Sequence, residues 1–248
     1  MELRSLPQHA NAFLLQAINQ HPYLKTNSRI CLQPYGIQPI KPEQWLTQNK
    51  QLPTDNILQA KPKRQASYYY GRDCAHKALS NLKCTKKVSM GAFNEPIWPK
   101  GFIGSISHTD QLAVAVTIKD VRIKGVGIDI ENTLSQSNAG LIFNSVLTSE
   151  EASVFESHFL PSSHLNHTQL LTVIFSVKES FYKAAFTRVK RILEYDAIEI
   201  FDVQKTSVHY RIKDKRACEQ LNISEQKTFV ADYRLMGKSI ITLALLET

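Results

Sequence analysis

From Thr168 to Met236 the chain contains neither glycine nor proline, and at the front of that run its apolar residues recur at helical spacing. Ile174, Val177, Phe181 and Ala184 stand three or four positions apart, which draws one buried stripe along a helix reaching to about residue 187. Glu179 and Lys183, four apart, fall on a different face, one turn above the other. Such a pair is ordinarily a solvated ion pair with glutamate in the favourable N-terminal place. A second acidic cluster upstream argues for chemistry. Gly125-Val126-Gly127-Ile128-Asp129-Ile130-Glu131 has carboxylates at i and i+2 in a β-branched run, and a strand turns both to one side, with Ile128 and Ile130 on the other. Two like charges so close repel unless a cation sits between them, and hard carboxylate oxygens suit Mg²⁺. The alternative is an exposed strand end with scattered acids.

The 248 residues suffice for one large domain or two smaller ones. A formal net charge of +8 favours an anionic partner: nucleic acid, an acidic protein or a phosphorylated ligand. Cys31, Cys74, Cys84 and Cys218 form no zinc-like spacing, so they read as free thiols of a reducing compartment. Met1 to Pro7 lacks the apolar run of a signal peptide, and no stretch reaches the length of a membrane span. The expectation is a soluble, cytoplasmic protein.

Residues 9–20 place Phe13, Leu14, Ala17 and Ile18 on one helical face, and residues 21–61 read mostly as strand fragments, such as Ile30-Cys31-Leu32, and loop. Pro62 suits the first turn of a helix whose packed face is Ala66, Tyr69, Tyr70, Ala78, Leu79 and Leu82. That helix also bears Lys63, Arg64, Arg72 and Lys77. Arg64 and Arg72 lie about 80° apart around its axis and roughly 12 Å along it, within reach of one anion, unless the basic face is merely solvated. Residues 91–104 form a structured loop around Trp98. Gly104-Ser-Ile-Ser-His108 then leads into an apolar strand, Leu112 to Ile118, and offers hydroxyl, imidazole and backbone donors suited to phosphate. The charged turn 119–124 is the candidate boundary between an N-terminal lobe, 1–120, and a C-terminal lobe, 121–248. Thr148-Ser-Glu-Glu151 is a capping box opening a helix expected to end before Pro161. Residues 162–167, with His164 and His167, read as a polar connection. Four strands close the chain, at 197–203, 207–213, 228–235 and 239–246, with the alternation of antiparallel pairs. Both halves thus read as helices on a small sheet, an α+β architecture.

Three separated stretches, Gly104-Ser-Ile-Ser-His108, Gly127-Ile-Asp-Ile-Glu131 and Phe175-Ser-Val-Lys-Glu-Ser-Phe-Tyr-Lys183, resemble in order and separation the signature motifs of the 4′-phosphopantetheinyl transferases. The Arg64-to-Arg72 segment, the Glu95-Pro-Ile-Trp-Pro99 loop and the length resemble the Sfp-like two-lobed class, and within it the enterobactin-synthetase-component type that serves siderophore synthesis. The resemblance covers residues 62 to about 185. It implies two similar α/β lobes with pseudo-two-fold symmetry and the active site in the cleft between them. It also implies Mg²⁺-dependent transfer of phosphopantetheine from coenzyme A to a serine of an apo peptidyl, aryl or acyl carrier protein, releasing adenosine 3′,5′-bisphosphate. By the same resemblance Asp129, Glu131 and Glu179 hold the metal, Glu179 is the general base, and Lys183 pairs with a phosphate oxygen. Ser107 and His108 bind coenzyme A phosphates, Arg64 and Arg72 grip its 3′-phosphate, and Pro96 belongs to the nucleotide loop. The family often has lysine before that proline, where this chain has Glu95. A monomer is expected, since such a chain can build its site alone.

Three other readings compete. Tyr68-Tyr69-Tyr70 beside Arg64 and Arg72 would suit a single-stranded nucleic-acid module, although no RNP, zinc or helix-turn-helix signature accompanies them. The same carboxylates would also serve a Mg²⁺-dependent nuclease or phosphatase. A silent coenzyme A-binding relative is the third.

Overall fold

The structure, a computed structural model, describes residues 24–49 and 53–247, together with residues 8, 12–13, 16–17 and 21. The chain divides into two compact units, Met1–Asp120 and Val121–Thr248. No helix among the described residues is long and apolar enough to cross a membrane. Of the apolar face expected near the N-terminus, Phe13 and Ala17 are helical and buried; Leu14 and Ile18 lie outside the described residues.

In the N-terminal unit a short helix α1 (Leu24–Asn27) leads into strand β1 (Ser28–Pro34), followed by helices α2 (Pro42–Asn49), α3 (Asp55–Leu58) and α4 (Pro62–Ser80). Strands β2 (Ser89–Met90) and β3 (Pro96–Ile97) pair as a small ribbon. Strands β4 (Ile103–His108) and β5 (Leu112–Ile118) complete an antiparallel sheet of order β1-β5-β4. Two expectations are corrected. Residues 42–49 and 55–58 are helical where loop was expected, because Trp45 and Ile57 bury against the tyrosines of α4. The Ser-Ile-Ser-His step does not lead into a strand; it is one, hydrogen-bonded along β5. Pro62 starts α4 as expected, and Ala66, Ala78 and Leu79 are fully buried.

The C-terminal unit begins with β6 (Ile123–Asn132) and helices α5 (Gln136–Val146) and α6 (Ser149–Val154). The Thr148–Glu151 capping box is present in both directions, yet the helical path runs past Pro161. A π-turn (Phe155–Phe159) resets the hydrogen bonding, so Pro161 falls in the first turn of α7 (Leu160–Ser163), where its missing N–H has no partner to lose. Helix α8 (His167–Val189) starts with a reciprocal cap between Asn166 and Gln169. It buries the expected stripe of Ile174, Val177, Phe181 and Ala184. Strands β7 (Ile198–Val203) and β8 (Ser207–Ile212), helix α9 (Lys215–Leu221), and strands β9 (Thr228–Met236) and β10 (Ser239–Glu247) follow. The antiparallel sheet has the order β6-β10-β9-β8-β7. Helix α9 falls between the second and third expected strands, where no element was expected; Asp214 caps its start and Asn222, in the left-handed region, ends it.

Two features seat α8. Gly125 and Gly127 on β6 face its backbone: a Cβ on Gly127 would stand 1.7 Å from the Ser180 carbonyl oxygen, and one on Gly125 2.1 Å from that of Ala184. Only hydrogen fits at these positions. On the helix's other side, Lys178 is fully buried and donates to Glu151 at 2.6 Å and to the Val146 carbonyl at 2.8 Å. Glu151 in turn accepts from the Ile200 N–H at 2.7 Å and the Thr148 N–H at 2.8 Å, tying α6, α8 and β7 to one carboxylate. Burial pulls the Lys178 ammonium below its usual range, and the charge of Glu151 opposes that pull.

Gly127→Ala therefore destabilises the protein by about 3 kcal/mol or more, since the clash is with backbone and no rotamer relieves it. Gly140→Ala on α5, where a Cβ meets nothing within 4 Å, serves as control and stabilises slightly. Urea denaturation measures both; equal midpoints for the two variants would remove the close approach as a determinant. Lys178→Met, which leaves Glu151 buried without its cation, costs about 3–5 kcal/mol in the same assay. Adding Glu151→Gln recovers part of that loss.

Candidate active site

In the C-terminal unit β6 and α8 bring Asp129, Glu179 and Lys183 into one neighbourhood. Asp129 is only 2% exposed and lies opposite Thr242 in the sheet, so it is not at an open strand end. Its Oδ1 accepts from Lys183 Nζ at 2.6 Å and its Oδ2 from Ser176 Oγ at 2.7 Å. Behind Ser176 runs a buried chain of hydroxyls: Ser176 to Thr242 at 2.9 Å, and Thr242 to Ser180 at 2.7 Å. Ser176, Ser180 and Lys183 share one face of α8, which explains how a helix apolar on its opposite stripe also buries polar groups against β6 and β10.

Lys183 therefore pairs with Asp129 across the helix–strand junction, where sequence spacing had favoured its neighbour Glu179. Glu179 accepts a hydrogen bond from Tyr195 Oη at 3.0 Å. Burial, the largest influence, raises its carboxyl above the usual range; Lys183 and Tyr195 oppose this and Asp129 adds to it. Burial and the nearby Glu179 hold the Tyr195 phenol protonated to well above its ordinary range. Glu179 and Tyr195, with Tyr182, Leu193 and Ile198, line a cavity of about 270 Å³.

Glu131 is half-buried on β6, opposite Ile240. Among the described residues no three His, Cys, Asp or Glu side chains are grouped to hold a metal ion. The expected Asp129–Glu131–Glu179 triad is thus not closed around a common point: Asp129 is turned to Lys183 and Ser176, and Glu179 to Tyr195. The donor chemistry nevertheless fits Mg²⁺. These are hard carboxylate oxygens, two of them on one strand and the third on the helix packed against it.

In the N-terminal unit α4 presents two arginines to one ring. Arg72 lies 5.1 Å and Arg64 6.0 Å from the centre of Tyr68. Arg72 is buried, not part of a solvated face, and donates to the Ser89 carbonyl at 2.6 Å. Burial, with Arg64 adding to it, lowers its guanidinium below the ordinary range. On the same helix Lys63 pairs with Asp110 and Lys77 with Asp73, each at 2.6 Å, whereas neither arginine has a carboxylate partner among the described residues. Guanidinium groups of this kind suit phosphate oxygens, which their planar fork can meet with two hydrogen bonds. Ser107 is buried on β4 and His108 stands exposed at its end. Pro96 is half-buried on β3. The carboxylate of Glu95 accepts from the Phe93 N–H at 2.9 Å, folding back on its own turn where lysine would reach out.

Sequence reasoning missed Ser176, Thr242 and Tyr195. The period of α8 could have found Ser176, because it stands seven residues before Lys183; Tyr195 and Thr242 meet the site only through tertiary folding.

Residues 52–118 match the model of the 4′-phosphopantetheinyl transferase N-terminal domain, and residues 125–237 match that of the 4′-phosphopantetheinyl transferase superfamily. The chain is 31% identical over 189 residues to enterobactin synthase component D of Salmonella typhi, spanning 76% of this chain and 75% of that protein. It is 36% identical over 135 residues to the protein of that name from Salmonella typhimurium, 54% of each chain. It is 28% identical over 178 residues to the 4′-phosphopantetheinyl transferase Npt of Nocardia iowensis, 70% of this chain and 77% of that one. With both family models matched in order along the chain and the first of these relatives matched over most of its length, this chain belongs to the 4′-phosphopantetheinyl transferase superfamily and is an enzyme of that type.

Proposed function

We propose that this transferase, which moves the phosphopantetheine of coenzyme A onto carrier proteins, works through Asp129, Glu179 and Lys183 in one unit and Arg64, Arg72, Ser107 and His108 in the other. The supporting observation is the buried Asp129–Lys183 pair beside Glu179, a carboxylate of raised proton affinity, inside the segment that matches the superfamily.

Attack of a serine hydroxyl on a pyrophosphate phosphorus needs the hydroxyl deprotonated, phosphate charge neutralised and the atoms held in line. Glu179 takes the serine proton as general base. Tyr195 fixes the orientation of that carboxylate through its hydrogen bond. Lys183, anchored by Asp129, sets its positive charge against a phosphate oxygen. Asp129, Glu131 and Glu179 would hold Mg²⁺, which when bound supplies Lewis-acid neutralisation of the pyrophosphate. Arg64 and Arg72 grip the 3′-phosphate, with Ser107 and His108 on further phosphates and Pro96 in the nucleotide loop. The product is adenosine 3′,5′-bisphosphate. The finer fold carried with this reading is that of two pseudo-symmetric lobes. Each unit by itself packs one long helix, α4 or α8, on an antiparallel sheet, which supports it. A cytoplasmic monomer serving siderophore synthesis completes the reading, the pathway resting on the names of the enterobactin synthase relatives.

Intact-protein mass spectrometry of an apo peptidyl or aryl carrier protein incubated with the enzyme, coenzyme A and Mg²⁺ is expected to record a gain of about 340 Da, abolished by EDTA. An EDTA-insensitive gain overturns the metal assignment, and no gain on any carrier overturns the reading. Glu179→Gln abolishes transfer while preserving the fold and coenzyme A binding; wild-type turnover would remove Glu179 from the mechanism. Arg64→Ala raises KM for coenzyme A about tenfold and leaves KM for 3′-dephospho-coenzyme A unchanged, the loss of one charge-assisted phosphate contact. Arg64 is the cleaner position because Arg72 also holds Ser89. An equal effect on both substrates would show that this arginine does not read the 3′-phosphate.

A further inference from the structure

Strand β1 and helix α4 meet along a polar seam that the transfer reaction does not use. Gln33 Nε2 on β1 donates to Asp73 at 2.9 Å and its Oε1 accepts from Lys77 at 2.6 Å, both on α4. Two residues before Gln33, on the same face of the strand, Cys31 places its sulfur 3.4 Å from that of Cys74. The two thiols are 43 positions apart in sequence and closer than the van der Waals separation of two sulfurs requires. Cys74 is fully buried, donating to the Ala113 carbonyl at 3.3 Å, while Cys31 is half-buried. We propose that Cys31 and Cys74 form a reversible, peroxide-oxidisable dithiol pair that, once joined, pins α4 to β1.

The roles follow from exposure and charge. Cys31 is the more exposed of the two cysteines. Hydrogen bonding with Cys74 holds its thiol below the usual range against the effect of burial, and the Lys77 ammonium adds to that, while burial pushes the Cys74 thiol far up. When Cys31 is a thiolate, Cys74 turns its proton from Ala113 to that sulfur. The Cys31 thiolate then attacks a hydroperoxide: an S–O bond forms, the O–O bond breaks, and the alkoxide or hydroxide leaves and takes up a proton. The Cys74 sulfur next attacks the sulfenic sulfur of Cys31, forming the S–S bond and breaking S–O, and its proton leaves with the hydroxide as water. The peroxide gains the two electrons the thiols lose. The sulfurs have to close from 3.4 Å to about 2.05 Å, and that closure is what draws α4 against β1.

The test is to expose the folded full chain to a slight excess of hydrogen peroxide, quench in acid, alkylate and map peptides without reduction. The expected result is a Cys31–Cys74 linked peptide about 2 Da lighter than the sum of its halves, reversed by dithiothreitol. The melting temperature should rise by roughly 5 °C through closure of the loop between the two positions. Cys31→Ser and Cys74→Ala each abolish the link, and in the first the reduced-state melting temperature is retained. The same treatment in guanidinium chloride should scramble the four cysteines. Links through Cys84, over-oxidised Cys31 with Cys74 unlinked, or equal pairing statistics in the folded and denatured chains would each overturn the proposal.

Discussion

The approach of α8 to β6 is the contact on which the C-terminal unit depends. Helix and strand usually meet through side chains, with their backbones held apart by a layer of methyl groups. Here Gly125 and Gly127 remove that layer, and the carbonyls of Ala184 and Ser180 come down onto the strand itself. The consequence reaches the chemistry directly. Asp129 lies two residues beyond Gly127 and Lys183 three beyond Ser180, so the junction that admits no Cβ also brings ammonium to carboxylate at 2.6 Å. The glycines, more than the acids, make the motif a structural unit.

The helix is held on its other side by a different force. Lys178 and Glu151 form an ion pair with almost no solvent access, whose desolvation cost is offset by three further hydrogen bonds, to Val146, Thr148 and Ile200. Such a pair adds little net stability compared with an apolar substitute, but it tolerates only one register of α8 against α6 and β7. Steric closeness on one face and electrostatic exactness on the other leave the helix little freedom to slide, which is what the proposed base and cation, one turn apart, would require.

Much of the fold was legible because periodicity is a local property. The stripe of Ile174, Val177, Phe181 and Ala184 located α8 within a few residues, and the alternation of Val208, Tyr210 and Ile212 gave an antiparallel strand. The misreadings also have physical causes. Pro161 reads as a helix end only if hydrogen bonding continues at the α spacing; the π-turn before it changes the spacing. Helix α9 is short, and its signal lay in Asp214 and Asn222 at its ends instead of in an apolar stripe. For the site, spacing along α8 paired Lys183 with Glu179, since sequence carries i,i+4 neighbours and is silent about strands packed across the helix. Asp129 won because it is buried against that face. Arg64 and Arg72 were legible as a pair; that Tyr68 stands beside both, and that one of them is buried, was not.

The hydroxyls behind Asp129 have a consequence for how the site answers a change in charge. Ser176, Thr242 and Ser180 are each both donor and acceptor, and their hydrogens can turn without any heavy atom moving. On the proposed mechanism, when a polyanion approaches Lys183 the dipoles around Asp129 can realign in place, as a solvent would, inside a region that holds its atoms as firmly as a core. The unit thereby combines a rigid frame with a soft dielectric response. Replacing those hydroxyls with methyl groups would leave the shape intact and make the interior electrically stiff.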